Sequence, residues 1–160
     1  MRDGFVKVAA VTPDIRVADV AYNTQNICKM IDETVAKGAK VIVFPELCVT
    51  GYTCSDLFTQ DILLKKSKEA LFKIAEYTKE KDAIIFIGVP LAIDGELYNV
   101  AAALNHGEIL GLTTKTFLPN YGEFYEMRQF RPGPDKARWV TIGMEKQIPL
   151  GPQLLSWQIR

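Results

Sequence analysis

The sequence predicts an α/β protein in which a parallel β-α-β start gives way to antiparallel hairpins. Two short apolar runs, Phe5–Val11 and Val41–Phe44, are rich in β-branched and aromatic residues, as is typical of buried strands. Between them lies a helix-period pattern, with Asp19 near its start and Gly38 placed to end it in the left-handed conformation. The apolar face of this pattern is formed by Val20, Ile27, Met30, Ile31, Thr34 and Val35. Such a unit implies neighbouring strands covered by a helix.

A second helix-strand pair follows the first. Asp61–Lys81 has apolar residues at helical spacing and a lysine-rich opposite face, which we interpret as solvated. A strand is predicted at Ala83–Val89. The α/β class therefore extends through the first half of the chain.

The pattern then changes to a meander of strands. Turn signals at Asp94-Gly95 and at Asn105–Gly107 separate predicted strands around Leu91–Ile93, Tyr98–Leu104 and Ile109–Thr114. We therefore expect two antiparallel hairpins here.

The last quarter of the sequence lacks clean periodicity. Thr116–Lys136 is dense in aromatic residues, charges, glycine and proline, which favours an ordered functional loop over a linker. Short strands are predicted at Val140–Ile142, Gln147–Gly151 and Leu154–Ile159. The last of these reaches Arg160 without a turn signal, so we expect that the sequence stops within an element.

Composition restricts the class of protein. The 160 residues are 48% hydrophobic and 24% charged, and 19 basic residues balance 19 acidic ones. These values are typical of a folded globular chain and give no reason to expect a nucleic acid or membrane partner. The N-terminal apolar run is interrupted by Lys7 and Asp14, which argues against a signal peptide or membrane span, so a cytoplasmic location is expected.

Two charged residues occupy strand ends, where α/β folds place their sites. Glu46 follows the strand Val41–Phe44 and Pro45, and Lys115 follows the strand that ends at Thr114. Either could be an ordinary structural or solvated residue, but a carboxylate base and an ammonium that stabilises an oxyanion together suit acyl transfer from an amide.

No convincing nucleophile accompanies them. Cys28 lies inside the first helical pattern and is interpreted as a small buried apolar residue. Cys48 and Cys54 bracket a Gly-Tyr turn close to Glu46, which could in principle activate either thiol, but Cys48, only two residues from Glu46, is poorly placed for attack. The odd cysteine count and the absence of CxxC spacing argue against disulfides and a zinc site, so no metal is expected. The single histidine, His106, falls in a predicted turn and is expected to be exposed.

Two motifs resemble those of the nitrilase, or carbon–nitrogen hydrolase, superfamily. The run Val41–Tyr52 (VIVFPELCVTGY) resembles its first motif, which centres on a catalytic glutamate, here Glu46. Lys115–Pro119 (KTFLP) resembles its second motif, whose lysine stabilises the tetrahedral intermediate, and Glu123 fits a second glutamate typical of the superfamily. The resemblance implies a four-layer α-β-β-α sandwich of which residues 1–160 form a part, with the C-terminal part missing.

Within the superfamily, the segments 51–58 and 118–126 are similar to the glutaminase domains of glutamine-dependent NAD⁺ synthetases. This resemblance implies that Tyr121, Glu123 and Phe124 bind the substrate L-glutamine, that Glu46 is the general base and that Lys115 stabilises the oxyanion. It also implies a homo-oligomer and a separate synthetase domain that would use ATP and magnesium, with no cofactor in residues 1–160.

The family's nucleophilic cysteine belongs to a third motif, similar to Glu-x-Cys-Glu-Asp, which does not occur in this sequence. We therefore expect a truncated domain that is inactive alone and that exposes an apolar sheet face. Two alternatives stay open: another superfamily amidase, such as a carbamoyl- or ω-amidase, and a non-catalytic module that binds glutamine or assembles with partners.

Overall fold

The first β-α-β unit forms as the local signals predict. In the computed structural model, which describes residues 4–143 and 146–152, β1 spans Val8–Ala10, α1 spans Val20–Ala36 and β2 spans Val41–Val43. The Asp19 carboxylate accepts a hydrogen bond of 3.1 Å from the backbone N–H of Tyr22, which satisfies a free donor at the helix start. Gly38 follows the helix with φ of 85°, as expected of a residue that ends a helix.

The second unit differs from expectation at its boundaries. Helix α2 spans Asp61–Tyr77 and stops before Lys81, because the Thr78 hydroxyl donates to the Ala75 carbonyl and the chain turns there. Strand β3 runs from Ile84 to Ile93 as one element, although a break was expected at Pro90. Beyond Phe86 this strand no longer pairs with β2, and a proline is tolerated at such an edge.

Both predicted hairpins are confirmed. Strands β4 (Glu96–Asn105) and β5 (Glu108–Thr114) follow β3 in antiparallel order. The connecting pairs Asp94-Gly95 and His106-Gly107 all have positive φ, between 47° and 86°, which matches the twist that tight hairpins require. His106 is exposed in its turn, as predicted.

The chain returns to the sheet after the long loop. Strand β6 (Arg138–Val140) starts two residues earlier than expected, and β7 is Ile148–Gly151. β7 inserts between β5 and β6, parallel to β5, which completes a seven-stranded sheet of order β1-β2-β3-β4-β5-β7-β6. The predicted strand Leu154–Ile159 lies outside the described residues.

Among the described residues, only one face of the sheet is fully covered. Helices α1 and α2 pack together, and α2 packs on the face that buries Ile42, Ile85 and Ile87 completely. On the opposite face Val8 is 67% and Val43 46% exposed, so the prediction that β1 and β2 are buried strands is wrong for that face. The described residues thus form one helical layer and one sheet of the expected sandwich, and they expose an apolar sheet face, as expected.

The two long helices are amphipathic rather than uniformly apolar. Over residues 4–143 and 146–152, no helix has both the length and the hydropathy that a membrane span needs.

Candidate active site

A tight turn after β2 positions Glu46. The turn is closed by a 2.8 Å hydrogen bond from the Gly51 N–H to the Leu47 carbonyl, and Leu47 adopts φ of 51° while completely buried. Positive φ is unusual for leucine and costs energy, so the surrounding packing must hold this turn in place. Glu46 is thereby fixed at the end of β2 and above β3.

Gly88 on β3 allows this turn to lie directly on the sheet. A Cβ at this position would be 2.3 Å from the Pro45 carbonyl oxygen and 2.4 Å from the Leu47 nitrogen. Both contacts are with backbone atoms, which cannot rotate away. The Gly88 carbonyl in turn accepts a 3.2 Å hydrogen bond from the Val49 N–H. The missing side chain of Gly88 is therefore a requirement for the position of Glu46.

Lys115 brings two carboxylates together. It leaves the end of β5, and its Nζ lies 2.7 Å from Glu46 Oε1 and 2.8 Å from Glu126 Oε1. The Lys115 side chain is 28% exposed, so these ion pairs are partly shielded from water. The structure places the two predicted catalytic residues, Glu46 and Lys115, side by side, and their catalytic roles stay predictions.

Glu126 is the most buried charged residue of the cluster. It begins the 3₁₀ turn Glu126–Arg128 and is only 5% exposed. Its Oε1 also accepts a 2.7 Å hydrogen bond from the hydroxyl of Tyr52. Its Oε2 is buried and has no hydrogen-bond partner among the described residues, so one acceptor of this carboxylate is unsatisfied.

The cluster alters the proton affinity of its members. Burial by itself would lower the pKa of Lys115, but its hydrogen bonds to Glu126 and Glu46 outweigh burial and raise that pKa above its usual range. The pKa of Tyr52 is raised by burial and by its hydrogen bond to Glu126, so the phenol keeps its proton. At neutral pH the site thus holds a charged ammonium and a neutral phenol.

Two clefts adjoin the cluster. A cleft of ≈ 280 Å³ lies over the sheet between Glu46, Asn99 and Lys115. A second, of ≈ 260 Å³, is lined by residues of the 52–58 segment and of the loop, including Glu123 and Phe124. The linear order of the chain gives no hint that these two segments meet.

The three predicted substrate-binding residues occupy different positions. Glu123 and Phe124 line the second cleft, whereas Tyr121 is 72% exposed and contacts Phe124 edge-on, with ring centroids 5.8 Å apart. The carboxylate that contacts Lys115 belongs to Glu126, not to Glu123, which is exposed. Glutamine binding by Tyr121, Glu123 and Phe124 stays a prediction.

The cysteines near the site are not activated. The Cys48 thiol donates to the Gly88 carbonyl, and burial raises the pKa of this thiol to about 12. The Cys54 thiol donates to the Thr50 carbonyl, and burial also raises its pKa. Because the thiolate is the nucleophile, neither residue is suited to attack an amide.

Three contributors were missed by sequence reasoning: Tyr52, Asn99 and Glu126. Asn99 is 4% exposed, and its Nδ2 donates to Glu46 Oε1. A polar side chain inside a strand otherwise predicted to be buried was the available signal, since buried amides need partners. No group of three or more histidine, cysteine or acidic residues with metal-binding geometry occurs in the described part of the chain.

Comparison with known proteins supports the motif-based resemblance. The model of the carbon–nitrogen hydrolase family matches residues 7–149. A glutamine-dependent NAD(+) synthetase of Mycobacterium leprae is 36% identical over 152 residues, which is 95% of this chain and 22% of that protein. One from Aquifex aeolicus is 41% identical in an alignment 150 residues long, which covers 84% of this chain and 26% of that protein.

Solved structures agree with the described fold. The crystal structure of a glutamine-dependent NAD(+) synthetase from Cytophaga hutchinsonii superposes with a TM-score of 0.85 at 29% identity, covering 91% of this chain and 25% of that one. An amidase from Nesterenkonia superposes with a TM-score of 0.71 at 21% identity, covering 93% of this chain and 56% of the amidase, which shows a shared fold. The chain spans about a quarter of the length of the synthetases it matches.

Proposed function

Since this chain belongs to the carbon–nitrogen hydrolase family, we propose that it forms part of a glutaminase site in a longer NAD⁺ synthetase. The observation that carries the proposal is the Lys115 ammonium held between Glu46 and Glu126 at the end of the sheet. Sequence identities of 36% and 41% to two glutamine-dependent NAD(+) synthetases favour a synthetase over a stand-alone amidase as the parent protein.

In this proposal Glu46 takes the proton from a cysteine thiol other than Cys28, Cys48 and Cys54. The resulting thiolate attacks the side-chain amide carbon of glutamine, and Lys115 stabilises the negative charge that develops on the amide oxygen. Glu46 then returns the proton to the departing nitrogen, so ammonia leaves and a thioester forms. Water hydrolyses the thioester to glutamate, while the ammonia serves amidation in an ATP-dependent synthetase domain.

The test is the rate of glutamate release from glutamine by the full-length protein. Glu46→Gln is expected to lower kcat/KM about 10²- to 10⁴-fold, because the general base is removed. Lys115→Met is expected to lower it about 10²- to 10³-fold, because the oxyanion loses its cation.

Matched controls are available on exposed surfaces. Two control variants change the same residue types away from the site and are expected to keep full activity. They are Glu33→Gln on α1 and Lys146→Met, which removes the ion pair with Glu108. Unchanged turnover in Glu46→Gln would overturn the proposal. Turnover of small amides but not of glutamine would favour the amidase alternative.

A second expected result concerns residues 1–160 as an isolated polypeptide. It is expected to release no glutamate above the uncatalysed background, because Cys48 and Cys54 are buried, protonated and bound to backbone carbonyls. Incubation of the purified polypeptide with glutamine and an assay for glutamate measures this. Turnover that is abolished by Cys54→Ala would contradict it.

A further inference from the structure

We propose that Asn99 is a positioning residue that, together with Lys115, occupies one oxygen of Glu46, so that the other oxygen, Oε2, accepts the proton. The inference rests on the proposed glutaminase function and adds to it a residue and an atom. Its basis is the unequal hydrogen bonding of the two carboxylate oxygens of Glu46.

Both donors converge on the same oxygen. Asn99 Nδ2 donates to Oε1, and Lys115 Nζ lies 2.7 Å from that same atom. Within residues 4–143 and 146–152, no hydrogen bond reaches Oε2 of Glu46. An oxygen with two donors is a poorer proton acceptor than its free neighbour, because its lone pairs are already engaged. The free oxygen is therefore the base.

Asn99 is held rigidly enough for this task. It lies within β4, opposite Pro90 on β3, and it is 4% exposed. Its backbone carbonyl accepts a 2.9 Å hydrogen bond from the N–H of Lys115. One residue thus contacts Glu46 through its side chain and Lys115 through its backbone, and it sets the distance between them.

An amide suits this position better than other side chains of its size. It donates a hydrogen bond without carrying a charge, so it fixes the carboxylate without competing for the proton. Aspartate would place a second carboxylate against Oε1, and the two groups would tend to share a proton. Leucine has a similar volume but would leave the carboxylate free to rotate about Lys115.

The kinetic test compares Asn99→Leu and Asn99→Asp with Asn105→Leu in the full-length protein. Asn105 is the matched control because it is the last residue of the same strand and donates a 3.0 Å hydrogen bond to the Ala83 carbonyl. Each Asn99 variant is expected to lose about 100-fold in kcat, the scale of a small misplacement of a reacting group. KM is expected to stay near the wild-type value, because the Asn99 amide donates to Glu46 rather than to the substrate. Asn105→Leu is expected to keep both parameters.

The pH profile separates positioning from general destabilisation. Loss of a donor to the charged carboxylate favours its protonated form, so the acid limb of kcat/KM in Asn99→Leu is expected to move to higher pH. A loss of packing alone would lower the amount of active protein without moving this limb. An unmoved limb, or an equal loss in Asn105→Leu, would overturn the inference.

A second measurement needs no turnover and no variant of Asn99. In NMR spectra of the full-length protein, the side-chain amide signals of Asn99 are expected to shift with pH, while those of Asn105 do not. In Glu46→Gln this pH dependence is expected to disappear. If Asn99 shows no such shift while the full-length protein hydrolyses glutamine, the inference fails alone. If that protein hydrolyses no glutamine, the proposed function and the positioning role fail together.

Discussion

Replacement of Lys115 by methionine is expected to destabilise the fold by about 3 kcal/mol at neutral pH. The substitution leaves the Glu126 carboxylate, only 5% exposed, without the ammonium 2.8 Å away. Removal of one partner from a buried ion pair costs about 3–5 kcal/mol, and the lower end applies because Lys115 and Glu46 are partly exposed. Urea unfolding of wild type and variant at pH 7 measures the difference.

The stability difference between wild type and Lys115→Met is expected to depend on pH. The pKa of Lys115 is raised in the fold, so its stabilising contribution is fully present at neutral pH and is lost as pH rises above about 10.5. The difference in unfolding free energy between wild type and Lys115→Met should therefore be constant from neutral pH to about pH 10 and shrink at higher pH. As a control, Lys146→Met breaks an equally short but exposed pair with Glu108 and should cost less than about 1 kcal/mol. Equal losses in both variants would contradict the special position of Lys115.

Replacement of Phe130 by alanine is expected to cost about 3–5 kcal/mol, the usual range for loss of a buried phenylalanine side chain. Phe130 is 2% exposed and contacts Phe58 edge-on, with ring centroids 5.0 Å apart. Its N–H also donates a 2.8 Å hydrogen bond to the Glu126 carbonyl. Loss of this ring should therefore also loosen the turn that carries Glu126.

The chain offers a matched control in the same loop. Phe117 is 90% exposed, so Phe117→Ala should change the unfolding free energy by less than about 0.5 kcal/mol. Thermal unfolding of both variants, with hydrogen exchange of the Phe130 N–H, would measure the two effects. A similar loss for Phe117→Ala would show that loop composition, rather than burial of one ring, sets the stability.

Local signals in the sequence predicted the regular elements because each depends on neighbouring residues. The Asp19 cap, the Gly38 ending and the two Gly-containing hairpin turns all form as expected. The errors came from long-range effects. No local signal tells that β7 would insert beside β5, or that Val8 and Val43 would face away from the helices.

The site was predictable to the extent that its residues end strands. Lys115 follows β5 directly and Glu46 follows β2 after two residues, and these strand-end positions, together with the two motifs, marked both as candidate site residues. Glu126 was missed because it lies in an irregular loop, eleven positions after Lys115, where sequence spacing does not tell which way a side chain points. Asn99 was missed because its role depends on a neighbouring strand rather than on its own motif.

The turn above Gly88 has a consequence for the gene. Every amino acid other than glycine adds at least a methyl group, which would lie within 2.4 Å of two backbone atoms of the Glu46 turn. No single missense change in that codon can therefore preserve the geometry, whatever the chemistry of the new side chain. Natural variants at this codon should be found only together with changes in residues 45–47, which would have to move for the new residue to fit.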